Sequence, residues 1–414
     1  MRVCIDRGTK EIGGITVELE ADGARLLLDR GLPLDVEDGD PIPLPAVAGL
    51  VEPDPSLLGV VLSHGHRDHW GLLAHVRPDL PIHMGAATER IFAAAASFVP
   101  DQPALKATVD LVDGRPVALG PFTVIPHLVD HSAFDAYALT VEAGGRHLFY
   151  SGDLRAHGRK AALFERLVGH PPRAIDTLLL EGSSFGRLDL DQRFPTECEI
   201  ETRLAERMKE TADLVLVAAS AQNIDRVVSI FRAARSTGRT LVVDLYAAEI
   251  LRATGRETIP QTSWPDVVTF VPFHQRVKVK KTERFDLLET HGSGRIFAEA
   301  LAAHPERYVV LFRASLLDDL VRAGCLGGAR AIWSQWSGYL AQEKGRALVA
   351  AMAAHELAFE VVHTSGHASP LDLQRLAGAI SPHALVPIHT FGARRYPEIF
   401  ENVTVYSDGE WWEA

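Results

Sequence analysis

Three features are scarce in this chain of 414 residues: cysteine, long apolar runs and an excess of basic charge. The three cysteines, Cys4, Cys198 and Cys325, are far apart and form no C-x-x-C pair, which excludes a disulfide framework. No apolar stretch reaches the ~20 residues of a membrane-spanning helix, and the N-terminus lacks the apolar segment of a signal peptide. The sequence therefore predicts a cytoplasmic protein with reduced thiols and no membrane contact.

The charge balance is acidic and unevenly distributed. Lys and Arg number 42 against 54 Asp and Glu, a net charge of −12 that argues against broad electrostatic binding of nucleic acid. Residues 184–364 contain 23 basic and 23 acidic residues, so the rest of the chain carries the whole excess. This neutral middle stretch indicates a separate unit.

The pattern of the first part of the chain is rich in strands. Residues 14–28 predict a hairpin around the turn at Asp22-Gly23, and the apolar runs 58–63 and 175–182 predict buried strands. A helix is expected from about Trp70. Polar clusters follow the ends of these strands.

A different rhythm begins after about Phe185. Residues 199–245 read as helix, strand, helix, strand, which predicts a parallel sheet. The chain length suits two domains.

The stretch "VVLSHGHRDHW" contains four potential metal ligands directly after an apolar strand. His64 and His66, two apart in an extended loop, can face one ion. Asp68 and His69, at the start of a helix, can face a second ion. Imidazole and carboxylate ligands together suit zinc, with manganese and iron as the alternatives.

Further candidate ligands follow other apolar runs, namely His131, Asp153 and His389. The sequence predicts seven ligands for two ions: His64, His66 and His131 for one, Asp68, His69 and His389 for the other, and Asp153 between them. Two ions held ~4 Å apart would activate a bridging hydroxide and bind oxygens of a phosphodiester or acyl group.

The order of these residues resembles a known family. Asp29 in D-x-G, then H-x-H-x-D-H, His131 and Asp153 resemble the motifs of the metallo-β-lactamase fold family. The stretches "LLLEGSS", "HTSGHAS" and "LVPIHT" resemble motifs A, B and C of its β-CASP subfamily, which includes ribonuclease J. The resemblance implies an α/β fold, an αββα sandwich with an inserted parallel βαβ cap. It also implies a metallo-β-lactamase domain in two segments, 1–183 and 363–414, around a β-CASP cap at 184–362.

The resemblance also implies roles for individual residues. Asp29 would hold the metal loop by hydrogen bonds. Asp68, Glu181 and His367 would be catalytic, with Glu181 handling a proton and His367 contacting the scissile phosphate. The segment that contains Ser365, Gly366, His367 and Ser369 would bind that phosphate through hydroxyl and backbone N–H groups.

These features predict a two-metal phosphodiesterase that cleaves RNA or single-stranded DNA by attack of a metal-bridging hydroxide. The expected cofactors are two divalent ions, zinc or manganese, and the family tendency is a homodimer. The alternative is a hydrolase of small esters, lactones or cyclic nucleotides. The net charge favours that alternative, as does "LFRASLLDD" at 311–319, where ribonuclease J has a glycine-rich phosphate loop. A non-catalytic binding subunit is disfavoured by the complete ligand set.

The basic segment "RVKVKKTER" at 276–284 is compatible with two alternative roles. Its alternating cations predict a strand with one basic face that would bind an RNA backbone. The second reading is an edge strand protected by lysines.

Overall fold

The computed structural model describes residues 1–34, 36, 44, 46–99, 103 and 105–414. Its described residues form two compact units. The first unit comprises Met1–Ala93, Asp101–Phe194 and Gly366–Ala414, and the second comprises Ala94–Pro100 and Pro195–Ser365. The domain boundaries predicted from the sequence, at 183/184 and 362/363, stay a prediction, because these compact units are defined by a different criterion.

The first sheet of the first unit has the order β20-β1-β2-β3-β4-β5-β6. Its hairpin of β2 and β3 is antiparallel and turns at Asp22 and Gly23, both with positive φ, which confirms the predicted hairpin. The strands are β1 (Arg2–Arg7), β2 (Thr16–Ala21), β3 (Ala24–Leu28), β4 (Leu57–Val61), β5 (Ile82–Gly85), β6 (Val109–Leu111) and β20 (Trp411–Glu413).

The second sheet of this unit has the order β19-β11-β10-β9-β8-β7. Strands β10, β11 and β19 run parallel, and Glu181 lies opposite Ile388, so β19 joins the sheet after the long intervening segment. The strands are β7 (Val117–Leu119), β8 (Phe122–Leu128), β9 (Tyr137–Ala143), β10 (Arg146–Tyr150), β11 (Thr177–Glu181) and β19 (Ala384–Ile388).

These two sheets pack face to face between helices, which is the predicted αββα arrangement. One buried cluster combines Val17 and Leu28 of the first sheet with Val124, Leu139 and Val386 of the second. Two further clusters lie on the outer faces and include helical residues. The helices are α1 (Arg67–Trp70), α2 (Ala86–Ala96), α3 (Ala161–Gly169) and α12 (Pro370–Ile380).

The helix expected from about Trp70 is broken into short pieces. Helix α1 ends at Trp70, and a 3₁₀-helix follows over Gly71–His75. The N–H of Leu72 donates to the Arg30 carbonyl, and the Asp68 carbonyl accepts from Ile15, so the i→i−4 bond between them is replaced. The neighbouring loops therefore take the bonds that would have continued the helix.

The sheet of the second unit is parallel at every described strand pair, as residues 199–245 predict. Its order is β15-β14-β13-β16-β12-β17-β18, so β16 separates β12 from β13. The strands are β12 (Val215–Ala218), β13 (Thr240–Val243), β14 (Val267–Phe270), β15 (Arg295–Ile296), β16 (Tyr308–Phe312), β17 (Arg330–Trp333) and β18 (Ala358–Val361).

Helices connect these strands, and several begin at side-chain caps. Thr196 and Glu199 form a reciprocal capping box at α4, while Asn223 and Asp244 cap α5 and α6. Among the described helices, none has the length and apolarity to cross a membrane. The helices are α4 (Glu197–Lys209), α5 (Ile224–Ser236), α6 (Leu245–Ala253), α7 (Phe273–Thr282), α8 (Asp286–His291), α9 (Ala298–Ala303), α10 (Leu317–Ala323) and α11 (Glu343–Ala354).

Both strand readings of the basic segment are wrong, because most of it lies in α7. The buried residues Gln275 and Val279 are four apart, which is the helical spacing, and the segment follows Pro272. In a helix, Arg276 and Lys280 share a face that Lys278 does not. The single basic face expected from alternation is therefore absent within this described helix.

Candidate metal centre

The predicted ligands converge at one end of the first unit. Each follows the carboxyl end of a strand: His64 follows β4, His131 follows β8, Asp153 follows β10 and His389 follows β19. In the described residues, potential ligand atoms form three groups, each within 4.8 Å, and all three include Asp153. The groups are His64, His66, His131 and Asp153; Asp68, His69, His389 and Asp153; and Asp153, Glu181 and His367.

Asp153 occupies the centre of these groups, as its predicted bridging position requires. Its Oδ2 lies 3.2 Å from His69 Nε2 and 3.6 Å from His64 Nε2, and its Oδ1 lies 3.1 Å from His389 Nδ1. One carboxylate thus faces histidines of both predicted ligand sets.

The remaining predicted ligands complete the two sets. His131 Nε2 lies 4.0 Å from Asp153 Oδ2 and 3.0 Å from His66 Nδ1. On the other side, Asp68 Oδ2 lies 3.7 Å from His389 Nε2 and 4.0 Å from His69 Nε2. The structure therefore brings together all seven residues that the sequence grouped.

Unsatisfied buried atoms at this centre fit bound cations. Within the described part of the chain, His64 Nε2, His69 Nε2 and both oxygens of Asp153 are buried without a hydrogen-bond partner, as are both ring nitrogens of His389. Buried polar atoms are normally satisfied, so unsatisfied atoms that face one another indicate a shared partner, such as a cation. A set of imidazole nitrogens and carboxylate oxygens suits divalent zinc or manganese.

Asp29 is the hub that orients the metal loop. Its Oδ1 accepts from the Ser63 N–H, and its Oδ2 lies 2.7 Å from the Ser63 hydroxyl, the Tyr150 hydroxyl and His69 Nδ1. This contact to Nδ1 leaves Nε2 of His69 directed at Asp153, which is how outer partners commonly orient metal-binding histidines.

Steric crowding explains why the D-x-G motif has glycine at position 31. A Cβ at Gly31 would overlap with the carbonyl oxygen of Asp68, because the two backbones touch. Hydrogen bonds link the same loops, since Arg30 N–H donates to the His69 carbonyl. The motif therefore anchors the ligand segment as well as His69.

Burial and mutual repulsion control the protonation of the histidines. Burial, with His69 and His131 nearby, holds the pKa of His64 well below its usual value. Burial likewise lowers the pKa of His66 to about 4. Burial also lowers the pKa of His69, but the Asp153 and Asp29 carboxylates outweigh it and raise that pKa well above its usual value. Neutral imidazoles at His64 and His66 are the form that binds metal.

Glu181 and His367 form a polar corner beside Asp153. His367 Nδ1 lies 3.3 Å from Glu181 Oε2 and 3.7 Å from Asp153 Oδ2. The Ser183 hydroxyl donates to Glu181 Oε2 at 3.0 Å and also contacts His367 Nδ1. His367 retains 18% side-chain exposure, whereas Asp153 and Glu181 are buried, so His367 is the group that meets solvent.

The residues predicted to bind phosphate occupy different environments. Gly366 and His367 begin the last segment of the first unit, while Ser365 ends the second. Ser369 is fully buried, and its hydroxyl caps α12 by accepting from the Asp372 N–H and donating to Asp372 Oδ2. A phosphate-binding role for these residues remains a prediction.

Sequence reasoning missed three side chains that support the centre: Ser63, Tyr150 and Ser183. All three contact Asp29 or Glu181, and each lies within three residues of a predicted ligand or of Glu181. Proximity in sequence was the available signal, but hydroxyl groups carry no metal-ligand pattern of their own. His127, four residues before His131, contacts Thr140 and belongs to none of the three groups.

The segment 311–319 begins within β16 and continues past the end of that strand. Arg313, the first residue after β16, forms an ion pair with Asp244 and lies over the Tyr246 ring at 4.4 Å. Burial lowers the pKa of Arg313 to about 10.

The chain is similar to the beta-lactamase superfamily domain and to several ribonuclease J proteins. Residues 40–190 match the beta-lactamase superfamily domain model. The chain is 25% identical to ribonuclease J of Mycobacterium tuberculosis (strain CDC 1551 / Oshkosh) over 94% of this chain and 68% of that protein. It is 24% identical to ribonuclease J of Sinorhizobium meliloti (84% of this chain, 60% of that protein). For ribonuclease J of Helicobacter pylori (strain 26695) the identity is 22% (92% and 55%).

A solved structure supports the fold over the whole chain. The crystal structure of an Enterococcus faecalis V583 protein of unknown function superposes with a TM-score of 0.79 at 20% identity. The match covers 99% of both chains. In contrast, the chain spans only 55% to 68% of the length of these three ribonuclease J proteins.

Proposed function

Because this chain is a ribonuclease J-like, β-CASP member of the metallo-β-lactamase superfamily, we propose that it is a metal-dependent ribonuclease. The observation that carries the proposal is the convergence of unsatisfied buried nitrogen and oxygen atoms on Asp153. The ribonuclease J relatives give the substrate class, RNA. The small-molecule alternative has no comparable support among these relatives.

We propose two divalent ions, zinc or manganese, as the cofactors. His64, His66 and His131 would hold one, Asp68, His69 and His389 the other, and Asp153 would contact both. Bound there, the ions would supply Lewis acidity, which lowers the pKa of water and neutralises the charge of a phosphodiester.

The protein groups around this centre have separable tasks in the proposed reaction. Asp29 fixes the orientation of His69, and Asp68 adds a carboxylate on the solvent side. Glu181 and Ser183 engage Nδ1 of His367, so the opposite ring nitrogen, Nε2, is the one to meet a phosphate or leaving oxygen. A proton given to the leaving oxygen there would stabilise the departing alkoxide. Ser365, Gly366 and Ser369 stay proposed as phosphate-binding residues.

The deciding experiment compares substrates and variants in one assay. Protein loaded with zinc or manganese is incubated with labelled single-stranded RNA, single-stranded DNA and a small ester. We expect RNA cleavage, a loss of at least about 10³-fold in Asp68→Ala, and unchanged cleavage in His147→Ala, an imidazole on β10 outside the centre. Hydrolysis of the ester without cleavage of either nucleic acid would refute the ribonuclease proposal.

Metal content tests the cofactor part independently. Elemental analysis of the purified protein should give about two ions per chain, and His64→Ala should reduce that number while His147→Ala does not. A single ion in the unaltered protein would refute the two-ion scheme but leave a ribonuclease possible. A cytoplasmic location and a homodimer are also proposed, and fractionation and light scattering would test them.

A further inference from the structure

Two ligands of the proposed centre come from strands that do not touch. His131 follows β8 and Asp153 follows β10, and both strands pair with β9, which lies between them. Two strand spacings separate them by roughly 10 Å. Even so, His131 Nε2 lies 4.0 Å from Asp153 Oδ2. The sheet ladder alone does not account for this approach, so the loops after the strands must be drawn together.

A set of contacts beside the ligands joins these two loops. Asp130, next to His131, accepts at its carbonyl from the Arg155 N–H at 2.6 Å. Its side chain accepts from Arg155 Nε at 3.4 Å and from the Gly158 N–H at 2.7 Å. Lys160 Nζ donates to the carbonyls of His131 and Ala133 at 3.1 and 3.2 Å. We call the Asp130–Arg155 pair, with these bonds, the loop clamp.

The clamp is buried and closely packed. Asp130 and Arg155 are both fully buried. A Cβ at Gly158 would overlap with Asp130 Oδ1 and the Arg155 guanidinium. Burying two charges is costly, and such pairs often contribute little net stability compared with apolar residues. A fully buried pair one and two residues from metal ligands is therefore better explained by the geometry it imposes.

We propose that the Asp130–Arg155 pair positions His131 and Asp153 at ligand distance before metal binds. The proposal rests on the proposed metal centre and assigns the pair no contact with substrate. Without the clamp, each loop would have to be ordered when the metal binds, and that cost would reduce affinity. Groups that hydrogen-bond metal ligands change metal affinity by about 10- to 100-fold, and we expect an effect of that order from the loop clamp.

The test measures metal affinity of the full chain, separately from activity. Metal-free protein is titrated with Zn²⁺ by calorimetry for the wild type, Arg155→Met and the double variant Asp130→Asn/Arg155→Met. The double variant removes both charges, so no uncompensated carboxylate is left buried. The matched control is Glu197→Gln/Arg226→Met, which removes an equally buried pair at 2.9 Å in the second unit.

We expect the clamp variants to bind Zn²⁺ about 10- to 100-fold more weakly, and the control double variant to bind like wild type. Arg155→Lys should recover part of the affinity because it restores the charge. Unchanged affinity in the double variant, or an equal loss in the control, would overturn the proposal. A wild-type protein that binds no Zn²⁺ would instead refute the metal centre itself.

Discussion

Single residues at this centre are held by partners that are distant in sequence. Asp29 contacts Tyr150 and Ser63, and its backbone has a positive φ of 61°, which is unfavourable for a residue with a Cβ. Tertiary bonds to the carboxylate compensate for that conformation. Residue identity therefore indicated a metal centre, but the hydroxyl groups that contact Asp29 carry no ligand pattern, and only the tertiary structure showed their role.

Asp6 is a partly buried carboxyl outside the metal centre, and its protonation affects stability. Burial, and then the Glu18 carboxylate, raises the pKa of Asp6 from its usual 3.8 to about 7. The folded state thus holds this proton more tightly than the unfolded chain does. The contribution of Asp6 to the free energy of unfolding therefore falls as pH rises from about 4 to about 7, and then levels off.

We expect Asp6→Asn to remove this dependence. Chemical denaturation between pH 5.5 and 8 at saturating metal should show the variant gaining stability over wild type as pH rises to about 7. Glu20→Gln, a change at a more exposed carboxylate of the same sheet, serves as the control. Wild-type and Asp6→Asn curves that stay parallel across this range would contradict the prediction.

At the scale of elements, the proposed metal ligands lie just after the carboxyl ends of strands. The apolar runs predicted β4, β11 and β19, and the structure brings the polar residues after them together. Helix α7 was harder to predict because alternating cations also match a strand. The two buried residues of α7, Gln275 and Val279, have the four-residue spacing of a helix. Gln275 was not recognisable from the sequence as a buried residue.

Ser369 caps α12 and is also proposed to bind phosphate, and substitution of this residue tests both roles. Loss of a serine cap costs about 1 kcal/mol, so Ser369→Ala should lower the free energy of unfolding by that amount. Thr196→Ala at α4 is a matched cap in the second unit. We further expect only Ser369→Ala to raise KM for RNA, because Ser369, the N-cap of α12, lies two residues after His367. An unchanged KM would remove Ser369 from the proposed phosphate-binding residues.

At the scale of the whole molecule, all seven proposed ligands lie in the first unit, although they span residues 64 to 389. A ligand stabilises only the states that bind it. Hydrogen exchange with and without chelator should therefore show metal-dependent protection of amides near the ends of β8, β10 and β19. Amides of β12–β18 in the second unit should change little. Equal deprotection of both units on chelation would contradict this prediction.

The sequence by itself predicted the parallel sheet of the second unit and the residues proposed as ligands, because hydrophobic periodicity and ligand chemistry are local properties of the chain. The sandwich of two sheets in the first unit was instead implied by the resemblance of its motifs to the metallo-β-lactamase fold family. Tertiary structure decided the partners of Asp29, the short α1 and the helical α7. It also decided the approach of His131 to Asp153, because loops from non-adjacent strands meet only through buried contacts such as Asp130–Arg155.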